Sequence, residues 1–565
     1  MISLIPAVKS IDVKEGRLIK KAVTFDENKY SARLTKALEN LPTAADGAKL
    51  SVSYGVGKGE GYVLKIEEDS VTINAGTERG AFYAIQTLRQ IFENEEIPCL
   101  EIHDKPDFEY RGFYHDVTRG KVASVKTIKE LIDMMAYYKM NVLQLYVEHV
   151  FEFEECRDLI GETSYLTGAE LRELDEYCKE NFIDFQPSLS TFGHLFELVN
   201  QEKYKHLRVL KDFKEDACRW SDRMHHHTID PAQEESIEVV KSLIDQYAPH
   251  FTSDYFNICC DETFDLKSSY QPEIEGKLYI DFVKKIIAHV QSKGKTVMMW
   301  ADILLQHPQY IDELPKDVYF LNWTYSGNPE EESFEKLGKM GRRQIVCPGT
   351  TTWSRFCERV EREEPNITIL ADYGYKHGAV GMLNTNWGDW GNPASLETSY
   401  YGMVLGAAKS WNIDTKPNDE FYADINALLY KNKNAMKYLR RISDAHNGVN
   451  WVKIMRAAHY KRAGLEYETP ITEEAIIEAQ NTYKELTAAI TAEDWTHGDF
   501  KAEMLNSIEG ICVLAELGAK LAGIETERIT DTEAFLGRFR EKWLEKNKIS
   551  ELTRIEDLFR YMESI

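Results

Sequence analysis

The sequence has no apolar run that approaches the roughly 20 residues needed to cross a bilayer, so we expect no membrane-spanning helix. Its first residues carry no positively charged segment ahead of a long apolar stretch and no small-residue cleavage site. No secretory signal is therefore predicted. From these two absences we expect a cytoplasmic protein with no membrane partner.

Positive charge is also scarce. Lysine and arginine together number 68, against 93 aspartates and glutamates, which gives a net charge of -25. A surface of this sign repels a phosphate backbone. We therefore expect no nucleic-acid partner.

Metal-ligand spacing is missing as well. None of the nine cysteines forms a C-x-x-C pair, and the adjacent Cys259 and Cys260 lie in an apolar, strand-like run, so buried free thiols are predicted. The consecutive histidines from His225 to His227 project in different directions and have no Cys or acidic partner at ligand spacing, which indicates a solvated loop. We predict no metal site.

The periodicity of the chain changes twice along its 565 residues, which are too many for one ordinary core. Up to about residue 105 short strands alternate with helices, and after Asn412 the pattern is helical almost throughout. We predict a small α/β domain over residues 1–105, a central domain over 106–412 and a helical C-terminal domain over 413–565.

The central domain contains eight repeats of an apolar, strand-length run followed by an amphipathic helical stretch. Eight such units predict an α/β fold of the closed parallel kind, a (β/α)8 TIM barrel. The predicted strands begin at Tyr110, Asn141, Phe182, Tyr255, Lys295, Val318, Gln344 and Ala379.

Reactive side chains occur where these strands end, which is where a barrel of this kind has its active site. Carboxylates surrounded by tryptophans are typical of a sugar site, because aromatic faces stack on the apolar face of a pyranose. In strand order these residues are Arg111 and Asp116, Glu148, His194, Asp261 and Glu262, Trp300 and Asp302, Trp323 and Tyr325, Trp353, and Trp387 with Asp389.

The clearest of these strand ends is FNICCDETF, an apolar run that stops at Asp261 and Glu262. Two carboxylates in one apolar site perturb each other, so that one stays protonated as a general acid while the other stays ionised. The alternative is that the pair only caps the following helix. Its place on the fourth strand, among the residues above, favours catalysis.

Several motifs, in this order, resemble glycoside hydrolase family 20, the β-N-acetylhexosaminidases. The resemblance covers roughly residues 50–410 and implies an enzyme that needs no cofactor. The motifs are GYVLKI followed by VTINAGTERGAFYAIQTLRQ, YRG with Asp116 and Arg119 after it, YYKMNVLQLYVEH, TFGH, the Asp-Glu pair, and W-G-D near the eighth strand.

In this family the substrate's own 2-acetamido oxygen attacks the anomeric carbon and forms an oxazolinium ion. The resemblance implies that Glu262 is the general acid/base and that Asp261 orients the acetamido N–H. It also implies that His194 supports the acid with Glu148 behind it. The implied substrate-binding residues are Arg111, Trp387 and Asp389 for the hydroxyls and Trp300, Trp323 and Trp353 as walls. Tyr325 is the candidate for clamping the acetamide oxygen, with an ordinary packing tyrosine as the alternative.

The chain departs from the family pattern in four motifs. The usual G-G-D-E is C-C-D-E, P-G-H is F-G-H, W-x-E is W-x-D, and T-D-D on the second strand is V-E-H. Because Asp is one methylene shorter than Glu, Asp389 is expected to reach a different hydroxyl or to leave room for the axial O4 of GalNAc or for a bulkier substituent.

We therefore expect an exo-acting, retaining β-N-acetylhexosaminidase that removes terminal β-GlcNAc or β-GalNAc from an oligosaccharide or glycoconjugate. Two alternatives stay open: a retaining barrel glycosidase that acts on a sugar without an acetamide, and an inactive sugar-binding barrel. The helical C-terminal domain could supply the contact of a homodimer.

Overall fold

The computed structural model of the chain describes residues 2–56, 59–159, 164–225 and 227–565. The N-terminal part is a mixed sheet with the strand order β1-β6-β4-β5-β3-β2. Its strands are β1 (Ser10–Arg17), β2 (Val23–Thr24), β3 (Ala48–Tyr54), β4 (Tyr62–Ile66), β5 (Ser70–Ala75) and β6 (Pro98–Asp104). Its helices are Ala32–Glu39 and Glu78–Ile91. The second helix packs on β4 and β5, and the side chain of Thr77 caps its first turn.

A closed barrel of eight parallel strands follows within the described residues, so the predicted (β/α)8 fold is confirmed. Each strand begins within two residues of its predicted start. The strands are β7 (Tyr110–Asp116), β8 (Val142–Val147), β9 (Asp184–Leu189), β10 (Tyr255–Asn257), β11 (Thr296–Trp300), β12 (Tyr319–Trp323), β13 (Arg343–Cys347) and β14 (Gly381–Asn386).

Helices between the strands surround this barrel, and polar caps fix several of their starts. The Ser124 hydroxyl accepts a hydrogen bond from the Thr127 amide, and Thr167 forms a reciprocal capping box with Glu170. The α-helices are Val125–Tyr137, Gly168–Glu180, Phe196–Val199, Arg219–Arg223, Glu234–Tyr247, Leu266–Ser269, Pro272–Ser292, Asp302–Gln306, Glu332–Lys339, Val360–Lys376 and Tyr400–Trp411.

The C-terminal region is helical, as predicted. Its helices are Asp419–Ile425, the π-helix Asn426–Tyr430, Ala435–His446, Trp451–Arg462, Glu473–Ala492, Gly498–Ala522, Thr532–Lys546 and Leu552–Ser564. None of the helices that the structure describes is both long and apolar enough to span a membrane. The predicted domain boundaries after residues 105 and 412 lie in the connections 105–109 and 412–418.

The long helix Gly498–Ala522 joins this region to the barrel loops. Gly510 lies against the Phe356 ring, and a Cβ at this position would come within 2.7 Å of that ring, so only glycine allows the close contact. The Ser507 hydroxyl donates to the Phe356 carbonyl at 3.0 Å. The loop that follows β13 is therefore held from the C-terminal side.

Candidate active site

The Asp261–Glu262 pair follows β10 on a backbone in an unusual conformation. Cys259, Cys260 and Glu262 have φ angles of 57°, 66° and 49°, in the left-handed region that side chains with a Cβ rarely adopt. Such strain is often concentrated at functional sites. Both carboxylates project into one cavity.

His194 connects the two carboxylates. Its Nε2 lies 3.4 Å from Asp261 Oδ2 and 3.4 Å from Glu262 Oε2, and the ring is buried. Burial alone lowers the pKa of His194, but the Asp261 charge and the bonds to both carboxylates outweigh it and raise the pKa to about 10. At neutral pH the ring therefore keeps a proton on Nε2, between the two acids.

The same three residues are the group in the described ranges whose donor atoms come close enough to hold a metal ion, all within 4.8 Å of one another. The raised pKa of His194 opposes such use, because a metal needs the ring nitrogen without its proton. Of the predicted histidine loop, His226 lies outside the described residues, and the His227 ring is buried with Nε2 2.9 Å from the Asp222 carbonyl.

Asp302 holds the backbone of Glu262 from behind. Its Oδ2 accepts a hydrogen bond from the Glu262 backbone amide at 3.0 Å. Burial, and then the nearby Asp261 charge, raise the pKa of Asp302 to about 7. This aspartate therefore ties the backbone of the pair to the start of the helix that follows β11.

Arg119 is the central cation of the opposite side. Its guanidinium lies 3.2 Å from Asp389 Oδ1 and 3.3 Å from Glu148 Oε1, and it stacks over the Trp387 and Tyr146 rings at 5.1 and 4.9 Å. It is almost completely buried. The loop after β7 thus brings a fixed positive charge to the pocket.

Two carboxylates beside Arg119 have pKa values shifted in opposite directions. Burial raises the pKa of Glu148, but His149 and Arg119 outweigh this and lower it to about 2. For Asp389 burial dominates over the attraction of Arg119 and raises the pKa to about 6. Glu148 is therefore a permanent anion behind the site, whereas Asp389 titrates close to neutral pH.

These groups border a cavity of about 340 Å³, here named the catalytic pocket. All the predicted site residues except Arg111, Glu148 and His194 line it. The lining residues are Arg119, Met224, Asp261, Glu262, Trp300, Trp323, Tyr325, Trp353, Arg362, Trp387 and Asp389. His194 and Glu148 lie directly behind this lining, through the contacts given above.

Tyr325 joins the aromatic walls to each other. Its ring stacks on Trp323 at 5.1 Å and tilts against Trp353 at 5.0 Å, and its hydroxyl accepts from Trp387 Nε1 at 2.6 Å. With Trp300, the pocket is therefore walled by rings from four strand ends, with one phenol oxygen among them.

The prediction for Arg111 is wrong. It is the second residue of β7, so it lies at the amino end of the strand, away from the pocket. Its guanidinium is 2.7 Å from Glu60 Oε2 and lies over the Tyr83 and Trp411 rings. Arg111 joins the barrel to the N-terminal sheet. Counting along the strand would have selected Arg119, three residues after the strand ends.

Met224 and Arg362 were also missed. Met224 follows the short helix Arg219–Arg223 in the long connection after β9, and Arg362 lies in the first turn of helix Val360–Lys376. The Arg362 Nε donates to the Tyr325 carbonyl at 2.7 Å. Neither position follows a strand directly, so reading strand ends could not find them.

The helical C-terminal domain reaches the pocket through Glu551. Its carboxylate lies 2.9 Å from Arg223 Nη1 and accepts from Trp220 Nε1 at 2.7 Å. Arg223 in turn donates to the Asp389 backbone carbonyl at 3.3 Å. This ion pair holds the connection after β9, and Met224 with it, against the loop that carries Asp389.

Solved structures with this fold extend over most of the chain. A chitobiase from Flavobacterium johnsoniae superposes with a TM-score of 0.62 at 18% identity over 96% of both chains. A β-N-acetylhexosaminidase from Bacteroides fragilis superposes with a TM-score of 0.60 at 19% identity, over 75% of this chain and 94% of that one. At these identities the likeness shows the fold alone.

Among curated proteins, a β-hexosaminidase from Porphyromonas gingivalis is 27% identical over 44% of this chain and 36% of its own length. A lacto-N-biosidase from Bifidobacterium bifidum is 21% identical over 72% of this chain and 36% of its own length. The chain thus spans about a third of the length of these relatives.

Residues 1–105 match domain 2 of glycosyl hydrolase family 20, and residues 108–377 match the catalytic domain of that family. With these two matches over most of the chain, and with an Asp-Glu pair at the end of the fourth barrel strand, the chain belongs to glycosyl hydrolase family 20.

Proposed function

We propose that the protein is an exo-acting, retaining β-N-acetylhexosaminidase that removes a terminal β-linked N-acetylhexosamine from an oligosaccharide or glycoconjugate. The observation that carries this proposal is the contact of Asp261 and Glu262 with one histidine at the edge of a tryptophan-walled pocket. Both the volume of the pocket, about 340 Å³, and its aromatic walls suit a single terminal sugar.

In the first step Glu262 donates a proton to the glycosidic oxygen as the bond to the anomeric carbon breaks. The acetamido oxygen of the substrate forms the new bond to that carbon, which gives a cyclic oxazolinium ion. Asp261 accepts a hydrogen bond from the acetamido N–H, and its negative charge stabilises the positive charge that develops on the ring.

In the second step Glu262, now ionised, removes a proton from a water molecule that attacks the anomeric carbon. The bond from that carbon to the acetamido oxygen breaks, which opens the oxazolinium ring. Two displacements at one carbon leave its configuration retained. His194, whose Nε2 is 3.4 Å from both carboxylates, fixes their positions through the cycle.

The other lining residues bind the sugar. We assign Tyr325 to the acetamide oxygen, because its hydroxyl lies among the aromatic walls and already accepts from Trp387. We assign Asp389 and Arg119 to the ring hydroxyls, because the two side chains form an ion pair at 3.2 Å on the side of the pocket formed by β7 and β14. Trp300, the buried wall, packs 6.0 Å from Trp387.

A two-carboxylate mechanism on a sugar without an acetamide is the rival. It requires the nucleophile and the acid to flank the scissile bond from separate positions, about 5 Å apart. Asp261 and Glu262 are consecutive residues that contact the same nitrogen atom of His194. This shared contact favours one joint position beside the bond and therefore the substrate-assisted route.

The proposal is tested by hydrolysis of aryl β-N-acetylglucosaminide, aryl β-N-acetylgalactosaminide and plain aryl β-glucoside, with Glu262→Gln as the control. Turnover confined to the acetamido sugars and lost in the variant is the expected result. Turnover of the plain glucoside would move the function to the rival mechanism. Sugar binding without any turnover would indicate an inactive, sugar-binding barrel.

We also propose a cytoplasmic location. The nine cysteines are free and buried, which suits a reducing compartment, where thiols stay unpaired. Recovery of the activity in the cytoplasmic fraction of the source cells is the expected result, and recovery in the medium or the envelope fraction would contradict it.

A further inference from the structure

A second cavity, of about 350 Å³, adjoins the catalytic pocket. We name it the arginine pocket after Arg355, Arg359 and Arg362, which line it. The two cavities share Trp353, Arg362 and Asp389, whereas Asp261 and Glu262 line the catalytic pocket alone. The arginine pocket therefore opens from the Asp389 side, away from the carboxylates assigned to the glycosidic bond.

The lining of this pocket is positive in a protein whose net charge is -25. Among the lining side chains that the structure describes, Asp389 is the one carboxylate, against three guanidinium groups. The ring of His446 adds no charge, because burial and then the charge of Arg355 lower its pKa well below the usual value. An electrostatic field of this sign attracts an anion.

The three arginines differ in how many of their hydrogen-bond donors already have a partner in the protein. Arg355 is committed to the C-terminal domain, since it donates to the Ser443 carbonyl at 2.8 Å and to Asn447 Oδ1 at 3.1 Å. Arg359 pairs with Glu361, and both side chains are 40% exposed, so water can compete with this pair.

Arg362 uses its Nε for the Tyr325 carbonyl, and its terminal nitrogens have no hydrogen-bond or ion-pair partner among the described residues. Burial, and then the like charge of Arg359, lower the pKa of Arg362. An anion between the two guanidinium groups would relieve that repulsion and fill the vacant donors, in the bidentate manner by which arginine binds oxyanions.

We propose that the arginine pocket binds a sulfate or phosphate ester carried by the terminal sugar on the side remote from the glycosidic bond, with Arg359 and Arg362 as its ligands. The inference rests on the proposed function, because that function places the ring hydroxyls beside Asp389. The enzyme is then selective for an acidic N-acetylhexosamine. Asp389, one methylene shorter than the family's usual Glu, leaves room for the ester to pass.

The test compares aryl β-N-acetylglucosaminide with its 6-sulfate and 6-phosphate, in the wild type, in Arg359→Gln and in Arg17→Gln. Arg17 lies on the exposed strand β1 and matches the change in charge far from the site. A charge-assisted contact predicts a preference in kcat/KM for an ester of about tenfold, which Arg359→Gln removes and Arg17→Gln retains. The preference should also shrink as salt is added.

Equal kcat/KM for the three substrates in the wild type would overturn the inference and leave the proposed function standing. If none is hydrolysed, the proposed function fails, and calorimetry then tests the pocket alone with N-acetylglucosamine, its 6-sulfate and its 6-phosphate. Tighter binding of an ester, lost in Arg359→Gln, supports the inference, and equal binding overturns it. The ester that is preferred identifies the anion.

Discussion

The Oδ2 atom of Asp302 accepts a hydrogen bond from the backbone amide of Glu262, so an aspartate with a raised pKa holds the chain segment that carries the proposed acid. Because its pKa is about 7 in the folded protein and 3.8 ordinarily, the folded state retains a proton that the unfolded chain releases. The charge of Asp302 therefore destabilises the fold progressively as pH rises through this interval.

Asp302→Asn keeps a hydrogen-bond acceptor and removes this charge. The difference in Tm between the variant and the wild type should shift in favour of the variant as pH rises from about 4 to about 8. The shift should correspond to roughly 2 to 4 kcal/mol. Calorimetric scans at several pH values measure the difference. A Tm difference that does not change with pH would show that Asp302 is not protonated in the folded protein.

His194→Asn tests the raised pKa of the histidine between the two acids. Because a pKa raised from 6.5 to about 10 stabilises the fold fully below 6.5 and is lost as pH rises through about 10, the variant should lose more Tm near neutral pH than near pH 10. The value of kcat should fall by about 100-fold or more.

His115→Gln is the matched control for this variant. The ring of His115 is also buried, but burial lowers its pKa to about 4, so it is neutral across the alkaline range. Its effect on Tm should therefore be the same near neutral pH as near pH 10. A similar pH dependence in both variants would contradict the raised pKa of His194.

Two buried arginines, Arg111 and Arg119, should separate stability from catalysis. Arg111→Met breaks the ion pair with Glu60 and should lower stability by about 3 to 5 kcal/mol, with kcat/KM within about threefold of the wild type well below Tm. Arg119→Met should lower kcat/KM by about 100-fold, because Asp389 loses its partner in the pocket. Paired thermal and kinetic measurements decide, and a large kinetic loss in the Arg111 variant would return that residue to the site.

Asp389 should make substrate binding dependent on pH. Below its pKa of about 6 the carboxyl is protonated and loses both its charge and its strength as an acceptor for sugar hydroxyls, so KM should rise as pH falls. Asp389→Asn should remove this dependence while raising KM at neutral pH. A rise in KM with the same midpoint in the variant would assign the titration to another group.

Cys260 has a φ of 66°, where a Cβ is strained and glycine is not. Cys260→Gly should therefore be more stable than Cys260→Ala by about 1 kcal/mol, the reverse of the usual order for these two residues. Chemical or thermal unfolding of the two variants measures the difference. If alanine is the more stable, the left-handed backbone does not explain why the family usually has glycine at this position.

The barrel could be predicted from the sequence because its strands are short, continuously apolar and buried on both faces. The aromatic lining could be predicted for a related reason. Parallel strands end at one rim, so tryptophans that follow different strands, such as Trp300 and Trp387, must converge there. This convergence does not depend on how far apart the tryptophans are in the sequence.

The rest of the site could not be predicted, because it depends on direction and on connections without periodicity. Arg111 and Arg119 are eight positions apart, near opposite ends of β7. Only the bounds of this strand decide at which end each arginine lies. Arg362 and Met224 reach the pocket from a helix turn and a long connection. The contact of Glu551 with Arg223 joins positions more than 300 residues apart, for which no local pattern exists.

This last contact implies an order of assembly. A ribosome releases the barrel strands before Glu551, which follows Arg223 by more than 300 residues, so the connection after β9 waits for its anchor until that later segment is made. A nascent chain halted before Glu551 would carry a closed barrel whose catalytic pocket is not yet fixed in shape. The pocket therefore takes its final shape after the barrel has closed, and a truncation that removes Glu551 together with the helix Leu552–Ser564 should return the pocket to that immature condition.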